Sequence, residues 1–311
     1  MKLPRFLTRE TMLMGLMLIL VAVNSALFPR IFPTVGNFTA ILRSLAFDGI
    51  MVCGMMLLLV SGTFDLSVGG TFSMAGVVAG WMMKNGELPV AAAVAIALGA
   101  AMLAGLINGV IVARVRVNAL IATLGTMGIY RGVAVLLGGP GITFLPDSFS
   151  RPGQVVILGL QGPVWMMAGI ALLFSFLLAR TRYFRQYYYI GNNATAARLS
   201  GIDVPRLQTA GFVIMGGLAG FSGIAFASRV GTSVSISGDG AELRIITAAI
   251  LGGASLTGGK GTIWGALIGV GFIALINNAL IIASVSAYWQ SIITGIVLVA
   301  AVAMDRFMKK D

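Results

Sequence analysis

The chain has 311 residues, 58% of them hydrophobic and only 10% charged, with a mean hydropathy of +0.97. A water-soluble domain carries about a quarter charged residues, so the solvent of this chain is lipid. With no histidine and one cysteine, Cys53, the sequence excludes an internal disulfide, a His/Cys metal centre and histidine acid–base catalysis; the net charge of +11 sits in loops between apolar runs and calls for no nucleic-acid partner.

Lys2, Arg5 and Arg9 precede a first apolar run, 11–28, that is long enough to span and lacks a small-x-small cleavage site, so it reads as a membrane helix rather than a signal peptide. About 20 apolar residues cross the ~30 Å hydrocarbon core. That ruler predicts further spans over 45–62, 66–83, 89–113, 117–138, 162–179, 207–229, 244–258, 261–282 and 286–304. The expectation is an all-α polytopic membrane protein of about ten transmembrane helices, with residues 1–311 forming one transmembrane domain. Fourteen of the 21 Lys and Arg then share a side with the N-terminus, among them Arg114, Arg116, the 180–206 cluster, Arg306, Lys309 and Lys310. The positive-inside rule therefore places both termini in the cytoplasm.

The two halves, about 45–138 and 207–304, resemble each other. Asp48-Gly-Ile-Met-Val-Cys-Gly-Met is similar to Ala210-Gly-Phe-Val-Ile-Met-Gly-Gly, and Leu106-Ile-Asn-Gly to Leu275-Ile-Asn-Asn. An offset of five spans reverses direction, so the repeat is expected to be inverted, a transporter signature with the pathway between the halves. Five Gly-x-x-x-Gly spacings (Gly76/Gly80, Gly105/Gly109, Gly216/Gly220, Gly261/Gly265 and Gly265/Gly269) suit close helix packing. Within the spans, Asp48 and Arg131 are charged and are expected to neutralise each other, because a lone buried charge is costly. Asp65 is either a helix N-cap for Leu66 onward or a residue of the pathway.

Ala254-Ser-Leu-Thr-Gly-Gly-Lys-Gly261 imitates a phosphate-binding loop. It lacks the first glycine, at Ala254, and the hydroxyl residue after lysine, at Gly261, so the chain binds no nucleotide there. The long loop 180–206 offers a short helix over 194–199, capped by Asn192 or Asn193 and ended by Gly201. It forms either a knob facing the cytosol or an amphipathic helix lying on the membrane.

That loop, Tyr188 to Ile202, resembles the coupling loop of ABC-importer permeases for simple sugars, the ribose, xylose and arabinose group. Ser61-Gly-Thr-Phe-Asp-Leu-Ser-Val-Gly-Gly70, Asn118-Ala-Leu-Ile-Ala-Thr-Leu-Gly-Thr126 with Tyr130-Arg-Gly132, Glu242 to Gly265, Val285 to Gln290 and Ala301 to Asp305 are also similar to that family. Arg244-Ile-Ile-Thr247 and the Thr63-Phe64 pair depart from its usual pattern, which leaves the sugar open. The resemblance implies a bacterial cytoplasmic (inner) membrane location and a second permease copy or paralogue. It also implies a cytoplasmic ABC ATPase that binds the ATP and magnesium, and an extracytoplasmic sugar-binding protein. No cofactor or metal is expected on this chain, and no enzymatic step. On this reading Gly191, Asn193, Ala196, Ala197, Arg198 and Gly201 couple to the ATPase. Phe47, Asp65, Asn108, Asn277 and Asn278 are candidates to line the sugar pathway, although interhelical hydrogen bonding explains such asparagines equally.

Two other classes remain. Branched-chain amino acid permeases share the Gly-Gly and Gly-Gly-x-Gly segments. An ion-coupled transporter should embed ionisable residues in its core, and the spans offer only Asp48, Arg131 and Asp65, with no embedded Glu or Lys.

Overall fold

The computed structural model describes residues 9–300 apart from positions 287, 291, 294 and 298. The charges at Lys2, Arg5, Arg306, Lys309 and Lys310, the Ala301–Asp305 segment and the end of the expected tenth span lie outside the described residues.

The helices run α1 Arg9–Leu27, α2 Val35–Val60, α3 Val68–Lys84, α4 Val90–Gly109 with a π turn at Val110–Arg114, α5 Ala119–Gly138 and α6 Asp147–Gln154. After a hairpin of two-residue strands (β1 Val156–Ile157, β2 Leu160–Gln161) follow α7 Gly162–Arg180, α8 Arg182–Asn192, α9 Ala194–Leu199, α10 Val204–Val230, α11 Ala241–Leu251 and α12 Ile263–Ile282. Seven of the described helices (α1, α2, α4, α5, α7, α10 and α12) are long and apolar enough to cross a membrane. The chain is therefore a multi-pass, all-helical membrane protein.

α2 is the central post. Every residue from Gly49 to Val60 is buried, as expected of a helix that is apolar all round. It also begins ten residues before the expected start at 45. Thr34 accepts a hydrogen bond from the Asn37 amide at 3.2 Å to cap it. Arg43 ends the apolar run in sequence but not the helix, because its side chain faces a polar cavity rather than lipid.

The Gly-x-x-x-Gly spacings act as packing surfaces. Gly105 and Gly109 of α4 press on the backbone of Phe212 and Thr209 of α10, and Gly216 returns the contact onto Ala101 and Gly105. Gly265 and Gly269 of α12 lie against Gly252 and Ala248 at the end of α11. A methyl group at these positions would meet backbone, so only glycine allows the approach.

Two helices are short. α3 has 17 residues and α11 has 11. The expected span 244–258 stops at Leu251 because Gly252 and Gly253 (φ +96°) turn the chain out of the helix. α3 starts part-way along its neighbour: the Phe72 backbone abuts Gly223 of α10, seven residues before that helix ends, or about 10 Å at 1.5 Å per residue. α3 follows an irregular break, 61–67, after α2; α11 follows another, 231–240, after α10. The N-terminal ends of the two short helices meet, and a Cβ on either Gly69 or Gly238 would strike the carbonyl of the other.

Candidate functional site

A cavity of about 580 Å³ opens where α2, α10, α11 and α12 converge with the second break. Phe47 and Asp48 of α2, Arg229 of α10, Asp239 of the break, Arg244 of α11 and Asn277 of α12 all line it. Its aromatic wall is built by Phe47 against Phe226, edge to face with centroids 5.3 Å apart, and Phe226 against Phe72 at 5.6 Å. The Arg229 guanidinium lies 5.9 Å from the Phe47 ring centre and bonds Gln161 at 3.3 Å, so it is held over the ring face by a cation–π contact and one hydrogen bond.

The charges pair differently from the sequence expectation. Asp48 is held by Arg244 through two bonds, Nε at 3.1 Å and Nη2 at 3.4 Å. Arg131 instead binds Glu242 at 3.0 Å and Asp239 at 3.2 Å. The expected Asp48–Arg131 pair is not formed, because Asp239 of the second break and Glu242 and Arg244 of α11 come into the bundle and take both partners. The sequence ruler had put Arg244 at the outer edge of the expected span 244–258. It had also missed Glu242, which is only 7% exposed and contradicts the expectation of no embedded glutamate. The departure of Arg244-Ile-Ile-Thr247 from the familiar pattern, beside Gly238 and Gly240, was the signal available for this region.

Asp65 and Asn108 come together, but apart from the cavity. The Asp65 carboxylate accepts from the Ser67 amide and hydroxyl, both at 2.7 Å, and from the Asn108 amide at 3.3 Å. Asn108 also donates to Ser67 Oγ at 2.8 Å, and Tyr130 donates to Asn108 Oδ1 at 3.4 Å. Asp65 is therefore not the N-cap foreseen for a helix from Leu66: the cap of α3 is Ser67, two positions after Asp65, and the Asp65 carboxylate holds it. Asn278 donates to Asn37 of α2 at 2.8 Å. Of the five pathway candidates, Phe47 and Asn277 reach the cavity.

At the other end of α2, the 180–206 segment forms a compact knob. Asn193 caps α9, accepting from the Thr195 and Ala196 amides at 3.0 Å each, and Gly201 takes φ +84° to leave it. Ala196, Arg198 and Leu199 face outward, Leu199 at 86% exposure, whereas Ala197 is buried within the chain. Gly191 is wedged against the Val60 carbonyl and Gly258, and the Gly259 amide bonds Val60 at 2.9 Å. Tyr187 and Tyr188 anchor α8 by donating to the Leu207 and Gly261 carbonyls, both at 2.8 Å. Burial raises both phenols above their ordinary pKa, so they remain donors.

A lipid-embedded bundle with two interrupted helices meeting beside a charged, aromatic cavity is the architecture of a transport subunit. The chain belongs to the family described as the branched-chain amino acid transport system permease component, whose model matches residues 37–302. It is similar to the ribose import permease protein RbsC of Escherichia coli, 39% identical over 295 residues that cover 93% of this chain and 91% of that one. It is also similar to the autoinducer 2 import system permease protein LsrC of Salmonella typhimurium, 36% identical over 274 residues, covering 88% and 78%. No solved structure matches.

Proposed function

We propose that this chain is the membrane-spanning subunit of an ATP-driven importer for a monosaccharide delivered by an extracytoplasmic binding protein. The observation that carries this reading is the cavity. At about 580 Å³ it falls within the range of about 300–1,000 Å³ typical of small-molecule sites. It offers Asp48, Arg244 and Asn277 for hydroxyl groups beside the aromatic face of Phe47. The sugar reading is further supported by the ribose permease that the chain resembles.

The ten-span count, the inverted relation of the halves 45–138 and 207–304, the single domain over 1–311 and the cytoplasmic termini belong to the same proposal. Its support is the recurrence of long helix, break and short helix in α2–α3 and α10–α11, together with the arginine-rich 180–206 segment at the end opposite the cavity. The membrane is then the bacterial cytoplasmic membrane. The partners are a cytoplasmic ABC ATPase that binds ATP and magnesium, the binding protein and a second permease copy or paralogue. In this arrangement Phe47 and Asn277 line the pathway, while Asp65 and Asn108 brace α3 and Asn278 braces α12 on α2. Asn193, Ala196, Arg198 and Gly201 form the ATPase contact, with Gly191 and Ala197 fixing the knob to the bundle. α2 is the rod between them: Asp48 at the cavity and Val60 at the knob are 12 residues apart on one helix, about 18 Å.

The test is uptake of labelled ribose, xylose, arabinose and leucine by proteoliposomes that contain the permease, its ATPase and its binding protein. ATP-dependent import of a sugar is expected; import of leucine alone overturns the sugar reading. Leu199→Arg should abolish uptake while leaving the permease folded. Uptake equal to the parent's would remove α9 from the coupling path.

A further inference from the structure

The end of the bundle that carries the knob has a second feature, which the transport reading leaves unused. A groove of about 430 Å³ runs between the end of α7, α8 and the start of α12. Its membrane side is apolar: Leu178 and Ala179 come from α7, Ile263 and Trp264 from α12. Its outer side is basic. Arg185 lines the groove, and Arg180 and Arg182 precede it at the junction of α7 and α8, all three exposed. From Leu178 to Ile202 there are four arginines and no acidic residue, and among the described residues none of these arginines forms an ion pair; Asp203, the next acid, is held by Arg206 at 3.0 Å. Glu10 reaches the rim of the groove, where its carboxylate accepts from Thr262 at 2.8 Å. Tyr183, Tyr189 and Trp264 are about half exposed at the same level, where amphipathic rings mark a membrane–water interface.

We propose that this groove is a binding site for an anionic phospholipid, with its phosphate on Arg185 and its acyl chain along Leu178, Ala179, Ile263 and Trp264. The juxtaposition explains why the occupant is a lipid and not a free anion. A phosphate alone would leave the apolar strip bare, and an uncharged lipid would leave the arginines unneutralised. Basic pockets between membrane helices, flanked by an apolar wall, recognise lipid headgroups by this combination. Arg185 and Tyr189 also line the adjoining groove beside α9, so the headgroup sits next to the helix assigned above to the ATPase contact. A bound lipid would brace α8, and lipid charge would then tune coupling. The lipid site itself stands on the groove and holds whether or not the cargo is a sugar.

The experiment uses the purified full-length chain, exchanged into nanodiscs of phosphatidylcholine with 20% phosphatidylglycerol, followed by detergent extraction and counting of retained lipid by mass spectrometry. Phosphatidylglycerol is expected to be enriched over its share of the bilayer. Each basic residue near an anionic surface is worth about a fivefold change in binding. Arg185→Gln should therefore lower the enrichment about fivefold, and Arg180→Gln with Arg182→Gln should lower it further. Ala179→Phe, an exposed position facing lipid, fills the groove without touching charge and should displace the lipid while the protein remains folded. Arg114→Gln with Arg116→Gln, at another basic patch, should change nothing. Retention of the two lipids in proportion to the bilayer overturns the proposal, as does enrichment that survives Ala179→Phe. Loss of the enrichment to millimolar inorganic phosphate would identify a free-anion site and overturn it equally.

Discussion

The two breaks in the bundle occupy matching places, each between a long helix and a short one, yet their chemistry is opposite. In the first, Asp65 is 1% exposed and its carboxylate accepts from the Ser67 amide and hydroxyl and from Asn108. In the second, the Asp239 side chain is 55% exposed, and Asp48 and Arg244 hold each other on the wall of an open cavity. A buried carboxylate bonded on all sides to its own chain's donors is scaffolding, because exchanging a partner strands a polar group. A charge pair that borders an open cavity can lend its hydrogen bonds to a passing hydroxyl and recover them afterwards. The first break holds the bundle together and the second is the part that can work.

The comparison breaks most directly at Asp65. Removing its carboxylate in Asp65→Ala leaves the Ser67 amide and the Asn108 side chain without their acceptor inside the protein. A lost hydrogen bond to a charged group costs about 1.5–3 kcal/mol, so thermal unfolding in detergent should show destabilisation of about 3 kcal/mol. Asp65→Asn should recover part of it. A melting temperature equal to the parent's would show that the first break is not scaffolding.

Gly69→Ala tests the place where the two breaks meet. Its new methyl would press on the Gly238 carbonyl, and overpacking of this kind costs about 1–3 kcal/mol. Gly238→Ala, approaching from the other side, should cost a similar amount. The double variant should cost less than the sum, since either methyl alone already forces the segments apart. Strict additivity would mean that the two glycines do not share one contact.

Most of the helices were legible because a membrane span announces itself by length and apolarity. α1, α5, α7 and α12 lie within about two residues of the sequence reading. α9 was legible in finer detail, down to a cap at Asn192 or Asn193, of which the structure uses Asn193, and to the Gly201 exit, because caps are local signals. The charge pairing was not legible. Hydropathy leaves Asp239 and Glu242 between spans and Arg244 at the edge of one, and only the tertiary position of α11 brings them against Asp48 and Arg131. Glycine spacing was ambiguous for the same reason: it states that a backbone approaches, without stating which one. Ala197 looked like a seat for a partner and is instead buried within its own chain, a distinction set by how α9 rolls against α8.

Smaller effects on stability, with larger ones on transport, are expected at the second break. Asp48→Asn leaves Arg244 without its counter-charge. The two side chains are 19% and 29% exposed, so screening limits the stability cost to about 1 kcal/mol. If the pair lends its hydrogen bonds to the cargo, losing one bond worth about 1.4 kcal/mol should slow uptake about tenfold. Arg244→Gln should do the same, and the double variant should be no worse than either single one. Uptake that falls only in proportion to stability would reduce the pair to scaffolding and erase the contrast between the breaks.

The sharpest discrimination comes from three asparagines that looked equivalent in sequence. Asn108 is fully buried and bonded to Asp65 and Ser67, so Asn108→Leu should destabilise the fold by about 2 kcal/mol. Asn278 is bonded once, to Asn37 at 2.8 Å, and Asn278→Leu should cost about 1 kcal/mol. Asn277 lies one residue away, partly exposed on the cavity wall. Asn277→Leu replaces a polar wall atom with a methyl group and should change stability by no more than about 0.5 kcal/mol. Its effect belongs to the cargo: a hydroxyl that met the amide would meet hydrocarbon, which raises the barrier to passage without loosening any helix. Unfolding and uptake measured on the same three preparations should therefore rank in opposite senses, with Asn277→Leu the most stable of the three and clearly impaired in transport. Parental uptake from Asn277→Leu would place the pathway elsewhere than this cavity, even if Asn108 and Asn278 behave as described.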